Sequence, residues 1–401
     1  MSNCDLHILT AEAVELLKDM IAIPSPSFSE DKVCTYISKW MSDKGIMHKR
    51  VGNNLIARLS EQPGVDSAVF EGKPTLMLCA HIDTVSPSNE YSFDPYTPDY
   101  AKASEVIGSK EIIAGLGSND DGASVVSMIA TFRYFTERFL DSFFRLTRND
   151  NTIAPSSISS YTSVISNEVE TSADLLLVLS CEEERSGVNG MTGLWPEIKD
   201  SVDYAIIGEP TQMQAATAER GLLVIDATAH GVSGHAARNE GVNAIDIALQ
   251  DILNLKNHEF TKISPRMGKV NLNVTQINAG TAHNVIPDTC TFVIDIRPTE
   301  QYTNEEILNE LQSICKSELK GRNLSNRSSA THENSPLQSV AEKIGIETFS
   351  SPTTSDWMRI DCDAIKMGPG NSSRSHKKDE FVYISEIETG IKTYIDFINN
   401  L

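Results

Sequence analysis

The sequence is poor in basic residues, in paired cysteines and in long apolar runs, and each shortage closes off a class of function. Lysine and arginine number 34 among 401 residues, against 55 aspartates and glutamates, so the formal net charge is −21. A field of that sign repels phosphate backbones and anionic headgroups, which argues against nucleic acid and membrane partners. No stretch reaches the roughly 18 consecutive apolar residues that span a bilayer. The first residues lack the basic start and apolar middle of a secretory signal, and Asp5, Glu12, Glu15 and Asp19 punctuate them instead. The seven cysteines, Cys4, Cys34, Cys79, Cys181, Cys290, Cys315 and Cys362, are odd in number, scattered and without a CxxC pair. That usage fits a reducing, cytoplasmic compartment better than a disulfide framework. The remainder is ordinary: 40% hydrophobic and 22% charged residues mark a globular chain. Its length predicts two or three domains, or one large enzyme fold with an insert.

Hydrophobic periodicity divides the chain into recognisable segments. Val14, Leu17, Met20 and Ile21 predict a first helix, ended by Pro24 and Pro26. Ser27 and Glu30 suggest a capping box for a second helix carrying Val33, Ile37, Trp40 and Met41, stopped by Gly45. Strands are predicted at Leu55–Leu59, Thr75–Ala80, Asp174–Cys181 and Asp203–Ile207, with a helix after residues 115–122 that turns Val125, Ile129, Phe132 and Phe135 inward. The unbroken apolar character of TLMLCA and DLLLVLSC marks strands buried on both faces. Strands alternating with helices predict an α/β fold with a mainly parallel sheet covered on both sides. The middle changes character: strand Leu222–Ala229, helix Asn243–Leu255, strands Lys269–Asn278 and Cys290–Arg297, then helix Asn304–Lys320. This order predicts a small α+β domain at 213–328, inserted into a larger one formed by 1–212 and 329–401. A last helix is expected at Ile384–Asn399. Residues 138–173 form a connection longer than compact domains use, either a surface loop or one with a short extra helix at Phe139–Leu146.

Five short patterns could carry chemistry. His81-Ile82-Asp83 ends a buried strand, where residues two apart share a face; the imidazole could bind a metal while the carboxylate orients its other nitrogen, or the pair could be a plain loop. Gly115 to Gly122 enters a helix without the lysine of a phosphate loop, and its acids would repel phosphate. Asp120 there is either a helix-terminus carboxylate or a metal bridge. Glu182-Glu183-Glu184 follows a buried strand, the place where ligand sites gather in open parallel sheets. Three adjacent carboxylates at a site mouth repel one another unless cations neutralise them. Gly208-Glu209-Pro210-Thr211 also follows a buried strand, and His376 lies in GPGNSSRSHKKDE. Together the patterns offer two histidines and several carboxylates, a donor set that suits zinc.

Taken jointly, HIDTV, GLGSNDDG, CEEE, GEPT, GHAARNEGVNAI, HNVIPD and GPGNSSRSH, in this order over residues 81–376, resemble the dinuclear zinc aminoacylase and carboxypeptidase superfamily. Its deacetylases that act on acetylornithine look nearest, with the desuccinylases as relatives. The resemblance implies a catalytic domain with an inserted lid or dimerisation domain. It implies two zinc ions, or cobalt: His81 and Glu209 on one, Glu184 and His376 on the other, Asp120 bridging. It makes Asp83 the residue that orients His81 and Glu183 the general base, with the register among Glu182, Glu183 and Glu184 open by one. A cis peptide from Asp120 to Asp121 belongs to the same pattern. His235 would reach the substrate, from the partner subunit of a homodimer; Asn284 and Arg297 would hold its polar ends. A guanidinium matches a carboxylate fork geometrically, although Arg297 could equally pair with Asp295 or Asp288.

The implied reaction is hydrolysis of the amide of an N-acyl-L-amino acid, N-acetylornithine first. Glu183 would take a proton from water and pass it to the leaving amine, and His235 would help stabilise the oxyanion. Acyl-citrulline, succinyl-diaminopimelate and short peptides are alternative substrates on the same site. A binding protein that keeps the fold without the chemistry is a further alternative, against which the complete ligand set argues.

Overall fold

The computed structural model describes residues 3–97, 100–109, 111–149, 171–238 and 240–401. Along the chain the elements are α1 (Asn3–Ile21), α2 (Asp31–Asp43), β1 (Lys49–Val51), β2 (Asn54–Arg58), β3 (Thr75–His81), α3 (Tyr100–Ile107), β4 (Ile112–Ala114), α4 (Gly122–Asn149), β5 (Asp174–Ser180), α5 (Met191–Ile198), β6 (Tyr204–Ile207) and β7 (Ala215–Glu219). There follow β8 (Leu223–His230), β9 (Gly234–His235), α6 (Ala244–Asn257), β10 (Asn271–Ala279), β11 (Val285–Ile286), β12 (Thr289–Arg297), α7 (Asn304–Ile314), β13 (Glu318–Gly321) and β14 (Ser329–Ala330). The chain ends with α8 (Pro336–Lys343), β15 (Thr348–Ser351), β16 (Asp363–Lys366), β17 (Phe381–Tyr383) and α9 (Ile384–Ile398).

The chain divides into two units, the first formed by Met1–Thr217, Thr331–Phe349 and Ser355–Leu401, the second by Ala218–Ala330 with Ser350–Thr354. In the first, a sheet runs in the order β1-β2-β5-β3-β6-β16-β7. β5, β3, β6 and β16 are parallel to one another. β2 and β7 run antiparallel at the flanks. Every residue of β3 and β5 is buried, as the continuous apolar runs require. One face packs on α1, α2, α4 and α9, through Leu17, Ile37, Phe132, Phe135, Ile391 and Tyr394, all fully buried. The other packs on α5 and Trp357. Because the four central strands are parallel, His81, the 181–184 turn, Glu209 and the loop after Lys366 all emerge at one sheet edge.

The second unit is a four-stranded antiparallel sheet, β10-β12-β8-β13, with α6 and α7 packed on it. Its ends meet: Thr331 N donates to Thr217 O at 2.9 Å.

Three sequence expectations fail locally. The helix expected to reach Lys320 stops at Ile314, and 318–321 form β13 against β8. The buried Asp251 carboxylate takes the amides of Lys316 and Ser317, offering the backbone a partner outside the helix. The capping box at Ser27 and Glu30 is absent: Glu30 sits at the N-cap itself without capping, and its Oε1 accepts from Phe28 N and Glu182 N instead. Phe139–Leu146 is no separate helix; α4 runs through it to Asn149. The rest of the long connection, 150–170, lies outside the described residues.

Candidate metal centre

His81 closes β3 with its side chain 3% exposed. Its Nε2 lies 3.2 Å from Asp120 Oδ1. Its Nδ1 lies 3.0 Å from the carbonyl of Asp83 and 3.5 Å from Asp83 Oδ1. The same Asp83 carboxylate accepts from Glu183 N at 3.0 Å, from Glu184 N at 3.1 Å and from Ser27 Oγ at 2.6 Å. Burial works to raise its pKa, but His81 and these donors hold it below the usual carboxylate value. One buried aspartate thus orients the imidazole and fixes the turn that carries two glutamates.

That turn separates the three acids. Glu182 has a left-handed backbone, φ 59°, and its carboxylate turns to Asn189, accepting from N at 3.0 Å and Nδ2 at 2.7 Å. Gly187 leaves room for it; a Cβ there would meet Glu182 Oε2 at 2.0 Å. Glu184 Oε1 lies 2.9 Å from His376 Nε2, and His376 Nε2 lies 3.6 Å from Asp120 Oδ2. The two oxygens of Asp120 therefore address two different histidines. Two groups of donor atoms, His81 with Asp120 and Glu209, and Asp120 with Glu184 and His376, each fall within 4.8 Å. The peptide from Asp120 to Asp121 is cis.

The electrostatics are those of crowded acids. Burial pushes Glu183 well above the usual range, His81 partly offsets this, and Glu209 adds to it. Burial does the same to Glu209, with Asp120 adding to it. A hydrogen bond to Glu184 lifts His376 to about 9. Three carboxylates, Asp120, Glu184 and Glu209, and two imidazoles, with Asp120 common to both groups, fit a pair of divalent cations, which would neutralise the crowding.

The other expected site residues lie in the inserted unit. His235 and Asn284 are exposed and adjacent on the β9/β11 ribbon: Val285 pairs with His235, and Ala236 N donates to Asn284 O at 3.1 Å. The amide of Ala237 donates to His235 Nδ1 at 3.2 Å, a local turn contact. Arg297 pairs with Asp295 at 2.9 Å, the local partner rather than Asp288. Gly370, at φ 89°, lets the loop before His376 approach Asn119; a Cβ would meet Asn119 Oδ1 at 2.6 Å.

Sequence reading missed several buried polar groups beside the cluster. Asp356 accepts from Ser180 Oγ at 2.6 Å and is raised to about 6 by burial. Asp121 is raised to about 8, also by burial. Glu380, four residues after His376, is buried against the loop that carries Asp120. Its position in an otherwise basic and acidic stretch, HKKDE, reads as a solvated run.

Residues 217–323 match the peptidase dimerisation domain of the M20 family. A succinyl-diaminopimelate desuccinylase of Pelagibacter ubique is 23% identical, aligned over 98% of this chain and 99% of its own. An acetylornithine deacetylase of Proteus mirabilis is 26% identical, over 96% and 95%. Among solved structures, aminopeptidase PepT of Bacillus cereus superposes with a TM-score of 0.68 at 16% identity, covering 98% of each chain. A dinuclear metal-binding M20 peptidase of Bacillus subtilis gives 0.67 at 13%, covering 98% of each. The fold is that of the M20 metallopeptidases. The chain is similar to this group of amidohydrolases over nearly its whole length, and residues 217–323 match the group's dimerisation domain. No described helix is long and apolar enough to cross a membrane.

Proposed function

We propose that the chain hydrolyses the amide bond of an N-acyl-L-amino acid, with N-acetylornithine as first substrate and a cytoplasmic role in arginine biosynthesis. The observation that carries the reading is the pair of donor groups sharing Asp120, with the buried carboxylate of Glu183 on the turn that also bears Glu184. Several full-length relatives carry the name acetylornithine deacetylase, which favours that acyl amino acid. The desuccinylase relative favours succinyl-diaminopimelate as a second reading.

His81, Asp120 and Glu209 would hold one zinc; Asp120, Glu184 and His376 the other. Bound there, two ions supply Lewis-acid polarisation of the acyl carbonyl and a water that loses its proton near neutrality. Glu183 would accept a proton from the attacking water and deliver it to the departing amine. Asp83 keeps the His81 ring in one orientation through both steps. His235, with its exposed imidazole, donates to the developing oxyanion from the partner subunit of a homodimer. Asn284 holds a polar end of the substrate beside it. Arg297 takes the substrate carboxylate only by exchanging its Asp295 partner. The dimer forms through the inserted unit, where β10 is an open sheet edge and Leu249, Leu253 and Ile277 are about half exposed at 50%, 51% and 50%.

The test is amino-acid release from N-acetylornithine, N-acetylcitrulline, their succinyl analogues and succinyl-diaminopimelate, with zinc or cobalt, beside Glu183→Ala. Turnover of one substrate, lowered about 10²–10⁴-fold in the variant while both metals stay bound, is the expected result. Turnover of succinyl-diaminopimelate alone would replace the deacetylase reading by the second one. No turnover with two metals bound would sink both.

A further inference from the structure

The loop that brings Asp120 and the loop that brings His376 are far apart in sequence but bolted together. Strand β4 ends one residue before the first loop, and β17 begins one residue after Glu380; the two strands pair from Ile112 with Tyr383 to Ala114 with Phe381. Between ribbon and ligands stands Glu380, 2% exposed. Its Oε1 accepts from Asn119 N at 2.9 Å and from Asp120 N at 3.0 Å, and its Oε2 from Gly117 N at 3.1 Å. Its own carbonyl accepts from Gly115 N at 2.9 Å. Both carboxylate oxygens are thus committed to backbone amides of the Asp120 loop. A second tie comes from the fully buried Asn119. Its Oδ1 accepts from Asn371 N at 2.8 Å, and its Nδ2 donates to Asn371 O and to Ser375 Oγ, each at 3.2 Å. Ser375 is the residue before His376, whose backbone is left-handed at φ 57°.

We infer that Glu380 and Asn119 are positioning residues that set the separation of Asp120 and His376, and so the affinity of the second cation site selectively. The inference rests on the dinuclear reading above. His81 ends a strand of the central sheet and Glu209 follows one, so in the first site only the shared Asp120 depends on these ties, whereas the second site depends on them through both Asp120 and His376. His376 has no strand of its own; the Asn119 and Glu380 hydrogen bonds are what hold its loop at the distance two ligands of one ion require. Groups that orient metal ligands without touching the metal are worth about 10–100-fold in metal affinity.

The experiment is a cobalt titration of the metal-free full chain, followed by calorimetry and by the visible absorption of bound cobalt. It compares the unaltered protein with Glu380→Gln, Asn119→Ala and Asp251→Asn. The last removes an equivalent buried carboxylate-to-amide clamp in the inserted unit and reports general destabilisation. Expected are two binding steps in the unaltered protein. In the Glu380 and Asn119 variants the second should weaken about 10–100-fold with a changed cobalt spectrum, while the first stays within about threefold. Asp251→Asn should leave both steps alone. Equal weakening of both steps, or no change beyond a lowered melting temperature, would overturn the inference. If Glu380→Gln does not fold, Asn119→Ala carries the same comparison. An unaltered protein that binds fewer than two ions would instead remove the dinuclear reading, and this inference with it.

Discussion

The two halves of the candidate metal centre are built on different kinds of backbone. His81 ends a fully buried strand and is itself 3% exposed, and Glu209 follows the neighbouring parallel strand by two residues. Glu184 lies in a turn flanked by left-handed residues, Glu182 and Ser186, and His376 is a left-handed residue whose side chain is 55% exposed. The first half inherits its geometry from sheet register. The second half has to be held by acceptors: Asp83 takes the amides of Glu183 and Glu184, Glu30 takes that of Glu182, and Glu380 takes those beneath Asp120. The acidic character of the chain is therefore partly internal, used to bind backbone N–H groups rather than solvent.

Substitutions can break this contrast in order of size. Asp120→Ala, which takes the shared ligand from both halves, should abolish binding of both ions by elemental analysis. It should also lower turnover by more than the 10²–10⁴-fold expected for a lone proton-transfer group. Retention of one tightly held ion would show that the halves do not share it. Next comes the metal-free fold. His81→Ala should cost about 1–3 kcal/mol, leaving buried Asp120 Oδ1 without its donor. His376→Ala, half exposed, should cost less than about 1 kcal/mol. Chemical denaturation would read both, and equal costs would erase the distinction between strand-borne and loop-borne ligands.

The smallest effect is a pH dependence. In the metal-free chain burial raises Asp121 and Glu380 to about 8, and Glu184 raises His376 to about 9. Each group stays protonated in the folded chain over a range in which the unfolded chain has already released the proton. The two carboxylates do so from about 4 to 8 and the histidine from about 6.5 to 9. The stabilisation from His376 is thus complete below 6.5 and gone above 9, and the buried acids, which keep their protons while the unfolded chain loses them, oppose folding increasingly from about 4 to about 8. The chelator-treated protein should melt at a lower temperature at pH 9 than at pH 5, and added zinc should raise its melting temperature more at pH 8 than at pH 5. A melting temperature that rises over this interval would contradict the account.

The legible part of the molecule follows the same division. TLMLCA and DLLLVLS are runs that only a buried parallel strand explains, so the sheet edge and the residues just beyond it could be read from the sequence. Spacing could not assign roles within Glu182–Glu184, because the distinction is made by what each backbone and carboxylate bonds to. Glu30 resembled half of a capping box for the same reason: its partner, the amide of Glu182, is remote in sequence. Glu380 and Asn119 leave no pattern at all, since accepting backbone N–H groups imposes no periodicity. The overlong helix at 304–320 failed because β13 offers only Leu319 to a core, too short an alternation to announce a strand.

The junction at Thr217 and Thr331 has a consequence for how such a chain can change. With the two ends of the insertion already hydrogen-bonded to each other, the α+β unit leaves and rejoins the rest of the chain at one point. It can be exchanged for a relative's unit, or replaced by a short turn, without asking the large sheet to rethread. A graft at that seam would carry the exposed ribbon of His235 and Asn284 as one cassette while the candidate metal ligands stay behind.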